Sequence, residues 1–157
     1  MNYSNKNMKS NFYLLTFLLI IFFTINGYAA ERKKYNFNSE WRLQVGDFPQ
    51  AKKPDFKDSS WKQVTLPHAF NEDEAFRISI EQHTDTVVWY RKHFRIEELK
   101  GKKVFVEFEG VRQGGEFFLN GQYLGLHENG VMAVGFDLTP YMKEGDNVLA
   151  VRTDNNW

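Results

Sequence analysis

Apolar and polar residues alternate in the segment 103–109, which reads KVFVEFE, and this pattern strongly limits what the chain can fold into. The even-numbered positions are all Val or Phe, whereas the odd-numbered positions include Lys103, Glu107 and Glu109. A period of two residues places the two sets on opposite faces of a β-strand, one buried and one in solvent. No sustained 3.6-residue period of apolar positions competes with this pattern. The segment is therefore predicted to be a half-buried strand.

Similar short segments recur along the chain, rich in Val, Phe, Tyr and Trp and separated by turn residues. They are 40–46, 61–66, 87–96, 103–111, 116–127 and 147–154. Short strands at close intervals are typical of a β-sandwich or a jelly roll, so we expect an all-β fold. Two short helical turns are also expected. One lies in 54–61, and the other has Thr139 as its cap and Pro140 at its first position.

The dipeptide Asn120-Gly121 divides the run EFFLNGQYLG, residues 116–125, into two apolar halves. Both central residues of a type I′ turn need φ > 0, which Asn and Gly tolerate, so a two-residue hairpin is predicted. Alternation then places Phe117 and Leu119 on one face and Phe118 on the other. Both faces would contact a core, so the hairpin is interpreted as scaffold rather than as a binding tip.

Residues 1–29 have the pattern of a secretory signal peptide. Lys6 and Lys9 lie in an opening without acidic residues, and an apolar run of about 14 residues follows, from Phe12 to Ile25. A small-residue ending, Gly27-Tyr28-Ala29, completes the pattern. The alternative is a membrane anchor, but roughly 20 residues are needed to span the hydrocarbon core. We expect cleavage after Ala29 and a periplasmic or secreted location.

The remaining residues, 30–157, are enough for one hydrophobic core and form the second predicted unit. Removing Lys6 and Lys9 from 20 basic residues leaves 18 against 20 acidic ones, a net charge of −2. This balance argues against nucleic acid or an anionic membrane as a partner. The chain has no Cys, and its four His residues lack metal-ligand spacing. We therefore expect no cofactor and no metal site.

Two polar loops carry the candidate binding residues. Asn71 and Asp73 lie in the loop 67–76, and His127 and Glu128 lie in the loop 125–130. Their side chains combine hydrogen-bond donors and acceptors, as do the hydroxyls of a sugar. The alternative, that both are ordinary solvated surface loops, stays open on chemistry alone.

The segment GVRQGG, 110–115, is too loose for a dinucleotide fingerprint and leads into a strand.

Two further patterns have a structural interpretation. Glu107 and Glu109 would lie on one face about 7 Å apart, a separation that overlaps those of inverting glycosidases, yet a solvated strand face explains them better. Trp61, Trp89 and Phe105 could stack on sugar rings, but aromatics make up 17% of the chain and most must pack in the core. We expect these three to be core residues and expect no catalytic residue.

Six motifs in a fixed order resemble the N-terminal sugar-binding domain of family 2 glycoside hydrolases, the β-galactosidase and β-glucuronidase group. They are LPHAF (66–70), WYRKHF (89–94), VFVEFEGV (104–111), FFLNGQYLGLHENG (117–130), FDLTPYM (136–142) and GDNVLAVRTDN (145–155). The resemblance spans roughly Phe37 to Trp157. It implies a jelly-roll, galactose-binding-like β-sandwich and a carbohydrate ligand.

In full-length members of that family an immunoglobulin-like domain and a (β/α)₈ barrel follow this domain. The resemblance implies that the barrel holds both catalytic glutamates of a retaining mechanism, and that the present domain is its partner. Two departures bear on ligand contacts. Ala69 replaces an acidic residue found in many relatives, and 129–136 reads NGVMAVGF where many have an aromatic-rich segment.

These observations support two functions. The first is the sugar-binding domain of an exported β-galactosidase-type glycosidase, which would hydrolyse no glycoside without its barrel. The second is a standalone carbohydrate-binding module that captures a glycan with its own surface. If the chain is the domain of an exported glycosidase, the coding sequence beyond Trp157 should continue into a barrel.

Overall fold

The computed structural model describes Tyr13, Phe17 and residues 32–71 and 86–155. The chain divides into two compact units, residues 1–35 and 36–157, and the strands described below all belong to the second. The predicted leader lies outside the described residues except for Tyr13 and Phe17, and so does Asp73 of the predicted site. Within the described residues, no helix is long and apolar enough to cross a membrane.

Eight strands and two short 3₁₀ helices form residues 36–157 in the part of the chain that is described. The 3₁₀ helices are Pro49–Lys52 and Thr139–Tyr141. The strands are β1 Trp41–Val45, β2 Lys62–Val64, β3 Val87–Ile96, β4 Phe105–Phe108, β5 Gly114–Leu119, β6 Gln122–His127, β7 Val134–Asp137 and β8 Gly145–Asp154.

The strands form a six-stranded sheet in the order β2-β1-β3-β8-β5-β6 and a two-stranded sheet of β4 and β7. All neighbouring strands are antiparallel, and the longest pairing joins β3 to β8 from Val87↔Asp154 to Ile96↔Gly145. The described residues contain no α-helix in this unit. The all-β, sandwich-like prediction is confirmed at this level.

The main core lies between the two sheets, and aromatic rings form its centre. The Phe108 ring on β4 lies 5.0 Å from that of Phe117 on β5, and the Phe136 ring on β7 lies 4.6 Å from Phe117 on its other side. The Trp41 ring on β1 lies 6.2 Å from Phe108. We call the face of the six-stranded sheet that meets β4 and β7 the inner face. Leu43, Val88, Leu119, Leu149 and Val151 complete its buried side chains.

The opposite, outer face of the six-stranded sheet is covered by the segment 46–61 between β1 and β2. Ala51 of this segment packs with Trp89, Phe118 and Ala150 of the sheet, and Phe48, Phe56 and Trp61 surround them. Burial on both faces explains why β8 reads VLAV at 148–151 without alternation, because all four side chains are buried. The middle of the sheet is therefore an interior layer.

A buried ion cluster anchors segment 46–61 to the outer face. Asp58, only 3% exposed, accepts hydrogen bonds from Arg91 Nε at 2.6 Å, from His93 Nε2 at 2.7 Å and from Arg42 Nη1. Arg91 is fully buried, and its two terminal nitrogens donate to the carbonyls of Ala51, Lys53 and Phe56. One arginine on β3 thus satisfies the backbone of a covering segment that has little regular structure of its own.

Burial raises the pKa of the Asp58 carboxyl, but hydrogen bonds from His93, Arg91 and Arg42 outweigh burial and lower this pKa to about 2. The carboxylate is therefore charged at all ordinary pH values. Its charge offsets that of the buried Arg91. Without this offset, the buried guanidinium would be strongly destabilising.

The Asn120-Gly121 turn has the predicted geometry, with φ of 51° at Asn120 and 85° at Gly121. The Asn120 side chain accepts from the Val148 N–H at 3.0 Å and donates to Asn147 Oδ1 at 2.8 Å, which ties the hairpin to β8. Phe117 and Leu119 are on the inner face and Phe118 is on the outer face. The interpretation of the hairpin as scaffold agrees with these contacts.

Three local predictions were wrong. Phe105, expected in the core, is 66% exposed on the solvent side of β4, because the opposite side carries Val106 into the core. The segment 54–61 contains hydrogen-bonded turns, one of them from the Trp61 N–H to the Asp58 carbonyl at 3.1 Å, but no helix, and the 3₁₀ helix lies at Pro49–Lys52 instead. Thr139 does not cap the second turn, because its hydroxyl accepts the Val104 N–H at 2.9 Å and thereby joins that turn to β4.

Removing the negative charge of Asp58 should lower the stability of the fold strongly. Asp58→Asn leaves Arg91 buried without an anion, so the free energy of unfolding should fall by about 3 kcal/mol. Urea unfolding followed by tryptophan fluorescence measures this change. The matched control is Asp55→Asn in the same segment, whose exposed side chain predicts a change within about 0.5 kcal/mol. Equal effects of the two substitutions would contradict the anchoring role.

The depressed pKa of Asp58 also predicts a pH dependence. In the folded state this pKa is about 2, below its ordinary value of 3.8. The ionised carboxylate therefore stabilises the fold above about pH 4, and this contribution disappears as the pH falls to about 2. The difference in unfolding free energy between the wild-type chain and Asp58→Asn should shrink over this interval. A difference that stays constant with pH would show that the carboxylate charge does not stabilise the fold.

Candidate functional site

One end of the sandwich gathers two connections, one of which carries the predicted site residues His127 and Glu128. Asp154, at the end of β8, pairs with Val87 at the start of β3 and with Gly114 at the start of β5. Next to it, Gly115 pairs with His127 at the end of β6. The β4–β5 turn, 109–113, and the β6–β7 loop, 128–133, therefore lie at the same end. We call these two connections, together with His127, the loop end.

The two connections of the loop end lie against each other, and glycines permit the close approach. A Cβ atom on Gly130 would lie 3.3 Å from Arg112 Cγ, and one on Gly110 would lie 3.6 Å from the Gly130 carbonyl oxygen. A pocket of about 440 Å³ opens between them, lined by Arg112, Gln113, Glu128, Gly130 and Val131. A larger residue at position 130 would push Arg112 away and change this pocket.

The pocket combines three kinds of hydrogen-bonding group. Arg112 supplies a guanidinium with donors only, Glu128 a carboxylate with acceptors only, and Gln113 an amide with both. Arg112 and Glu128 are exposed, and neither takes part in an ion pair within the described part of the chain. Both charges therefore remain available to a ligand. Among the described lining residues, Glu128 is the one carboxylate.

His127 holds the shape of the loop end. Its Nε2 lies 3.1 Å from the Met132 carbonyl oxygen, so this nitrogen donates across the β6–β7 loop. A second contact inside the loop runs from the Val131 N–H to Asn129 Oδ1 at 3.2 Å. These bonds fix the backbone on either side of Gly130. His127 therefore positions the pocket wall, whereas the neighbouring Glu128 lines the pocket.

Asn71 lies at the end of a different segment, which runs from β2 along the inner face. The Leu66 N–H donates to the Asn38 carbonyl at 2.8 Å, and His68 Nδ1 lies 3.4 Å from the Tyr90 hydroxyl. Burial raises the pKa of Tyr90 to about 12, so this hydroxyl stays protonated. Asn71 is half-buried and is the last described residue before position 86, so Asp73 lies outside the described residues.

A second cluster of charges lies near the loop end but serves the scaffold. Arg152 on β8 donates to Asp47 at 3.0 Å and lies 3.3 Å from Glu116 and 3.2 Å from Asp154. The hydrogen bond from Arg152 lowers the pKa of Asp47, which also accepts from Trp89 Nε1 at 3.2 Å. Because its charges are already paired, this cluster joins segment 46–61 to the sheet. No group of metal-ligating side chains occurs among the described residues.

The described contacts bring His127 and Glu128 together with Arg112 and Gln113, and they connect the Asn71 segment with Tyr90 instead. Arg112 and Gln113 were not predicted as site residues. The segment GVRQGG carries a usable signal, because two long polar side chains follow each other in a turn between two strands. Glu107 and Glu109 are exposed beside β4, as a solvated strand face predicts. Sugar binding by any of these residues stays a prediction.

Comparison with known proteins identifies the relatives of this fold. The family described as "Glycosyl hydrolases family 2, sugar binding domain" matches residues 36–157. A β-glucuronidase of Formosa agariphila is 39% identical over 137 residues, which cover 82% of this chain and 14% of the relative. A β-galactosidase of Bacteroides ovatus is 40% identical over 137 residues, covering 81% of this chain and 16% of the relative.

Solved structures give the same relationship. The structure of a β-glucuronidase from glycoside hydrolase family 2 aligns with a TM-score of 0.77 at 38% identity, over 82% of this chain and 14% of that one. A β-glycosidase from Bacteroides vulgatus aligns with a TM-score of 0.72 at 35% identity, over 80% of this chain and 17% of that one. The chain thus spans less than a fifth of the length of these relatives, and it belongs to the family of N-terminal sugar-binding domains of family 2 glycoside hydrolases.

Proposed function

We propose that this chain is the sugar-binding domain of an exported glycosidase of the β-galactosidase type, with the jelly-roll topology of that group. The chain would bind the glycan, and hydrolysis would belong to the barrel of a longer parent protein. The observation that carries the proposal is the match of nearly the whole strand-forming unit to this domain family, at a small fraction of the length of glycosidases.

The loop-end pocket is the proposed sugar contact. A pyranose presents hydroxyls that both donate and accept, and Gln113 and Glu128 offer matching groups within one pocket. Asn71, Asp73 and His127 are retained as predicted contributors, with His127 acting through the loop that it holds. Exposed Val131 beside the pocket offers an apolar surface for the C–H face of a sugar.

A β-glucuronide is the second candidate sugar, and Arg112 is the observation that favours it. A guanidinium with no partner among the described residues suits a carboxylate, because the two can form paired, charge-assisted hydrogen bonds. The relatives reported above include glucuronidases as well as galactosidases. Neutral and acidic sugars must therefore be tested side by side.

The standalone binding module remains the alternative to a domain of a longer enzyme. An in-frame continuation beyond Trp157 that encodes a barrel with its two glutamates would support the enzyme domain. A stop codon at that point, together with glycan binding by the chain, would support the module.

Calorimetric titration with methyl β-galactoside and methyl β-glucuronide tests the proposed site. Arg112→Ala and Glu128→Gln should each weaken binding about tenfold or more, because each removes a charge-assisted hydrogen bond. Arg112→Ala should affect the glucuronide more than the galactoside. The matched control is Glu98→Gln, which changes an exposed carboxylate in the β3–β4 connection, outside the loop end and the pocket lining. Flat titrations with both sugars would contradict sugar binding, and unchanged affinity in both variants would contradict this site.

Export has its own test. If residues 1–29 are a cleaved leader, the chain recovered from the periplasm or medium should begin at Ala30 on N-terminal sequencing. Ala29→Arg should block cleavage, because the exit position needs a small residue. Recovery of an intact N-terminus from the membrane fraction would instead support the anchor.

A further inference from the structure

Within the described residues, the outer edge of β4 has backbone groups without a strand partner. On its other edge, the Leu138 N–H donates to the Val104 carbonyl at 2.9 Å and the Val104 N–H donates to Thr139 Oγ1 at 2.9 Å, so Val104 faces β7. Backbone groups alternate in direction along a strand, so those of Phe105 and Glu107 face away from β7. In the described part of the chain β4 pairs with β7 alone.

An apolar side chain lies on this same edge strand. Phe105 is 66% exposed on the solvent side of β4, and Glu107 of the same strand is exposed as well. Lys103, two residues before Phe105 and just outside β4, is 70% exposed. The Phe105 ring takes part in none of the described aromatic contacts. An unpaired strand edge beside an exposed aromatic residue is a template for pairing with another strand.

The other edges of the described sheets are less suited to pairing. β2 has three residues, two of them the exposed and polar Lys62 and Gln63. β6 carries a register irregularity opposite Phe117 and Phe118, which breaks a continuous edge. β7 has Gly135 at its centre, where no side chain can contribute. Among these described edges, β4 alone combines an uninterrupted backbone with an exposed aromatic ring that has exposed charges of opposite sign, Lys103 and Glu107, two positions before and after it.

We propose that two copies of this chain pair through β4, antiparallel and related by a two-fold axis at Phe105. In this register Phe105 lies opposite Phe105 of the partner subunit, and Lys103 lies opposite Glu107 of the partner subunit. The symmetric pair is Glu107 with the partner's Lys103. Residues 103, 105 and 107 all direct their backbone groups outward, so each opposed pair can exchange two backbone hydrogen bonds.

Charge repulsion disfavours one alternative register, and the contact between the two aromatic rings favours this register over the other. A two-fold axis at Glu107 would place two carboxylates directly opposite each other, which is destabilising across strands. An axis at Val106 would place Phe105 opposite the partner's Glu107 and leave the ring without an aromatic neighbour. Lys103 lies 3.6 Å from Asp137 in its own chain, a long and exposed ion pair that allows its flexible side chain to reach a second carboxylate.

Charge reversal tests the pairing by sedimentation of the full chain over a wide concentration range. Lys103→Glu and Glu107→Lys should each weaken the dimer about tenfold or more, because each places like charges opposite at two symmetric sites. The double substitution should restore it, because the opposite charges return in exchanged positions. The apolar run near the N-terminus is common to all variants, so differences between them report β4. A monomer at every concentration, or a dimer indifferent to the single reversals, would overturn the proposal.

A cysteine substitution tests the register separately. The wild-type chain has no Cys. Opposed residues of a hydrogen-bonded pair have Cα atoms about 5.5 Å apart, within reach of a disulfide, so Phe105→Cys should give a covalent dimer on mild oxidation. Tyr123→Cys, on exposed β6, is the control and should remain monomeric. Equal cross-linking of both variants would overturn the register even if the chain dimerises.

Discussion

The buried carboxylate of Asp58 is the interaction on which the described architecture depends. The six-stranded sheet needs cover on both faces, and the cover on its outer face has little regular structure of its own. Asp58 offsets the charge of the buried Arg91, and Arg91 in turn satisfies carbonyls of that covering segment. Charge neutralisation and backbone satisfaction are thus achieved by the same two side chains. Within the described residues, Arg112 and Glu128 of the loop end take no part in these scaffold ion pairs.

The strands could be predicted from sequence wherever a local rule determines them. Alternation identified β4, and the Asn120-Gly121 turn fixed the hairpin of β5 and β6. β7 was not predicted as a strand, since four residues with Gly135 at their centre show little periodicity. The Asp58 cluster joins residues 16 to 35 positions apart, and no local pattern marks such partners. Phe105 was placed in the core from the aromatic content of the chain, although the alternation along β4 puts it on the same, solvent-facing side as Glu107.

The candidate site could be predicted only in part. His127 and Glu128 were identified from the chemistry of their loop, and the structure places them at a pocket. Arg112 and Gln113 reach that pocket from another connection, and only the pairing of strands brings the two connections together. The family resemblance rests on residues that build the scaffold, such as the hairpin and β8. It therefore identifies the domain more securely than it identifies the sugar, because ligand contacts lie on connections that are free to vary.

Glycan binding at the loop end of this sugar-binding domain can be tested directly by titrating the ¹⁵N-labelled chain with methyl β-galactoside or methyl β-glucuronide and following the amide chemical shifts. If the glycan binds there, the shifts should concentrate in residues 109–113 and 127–131, and the outer-face segment 46–61 should be unchanged. Shifts concentrated in that segment, or no shifts at saturating concentrations of both sugars, would contradict it.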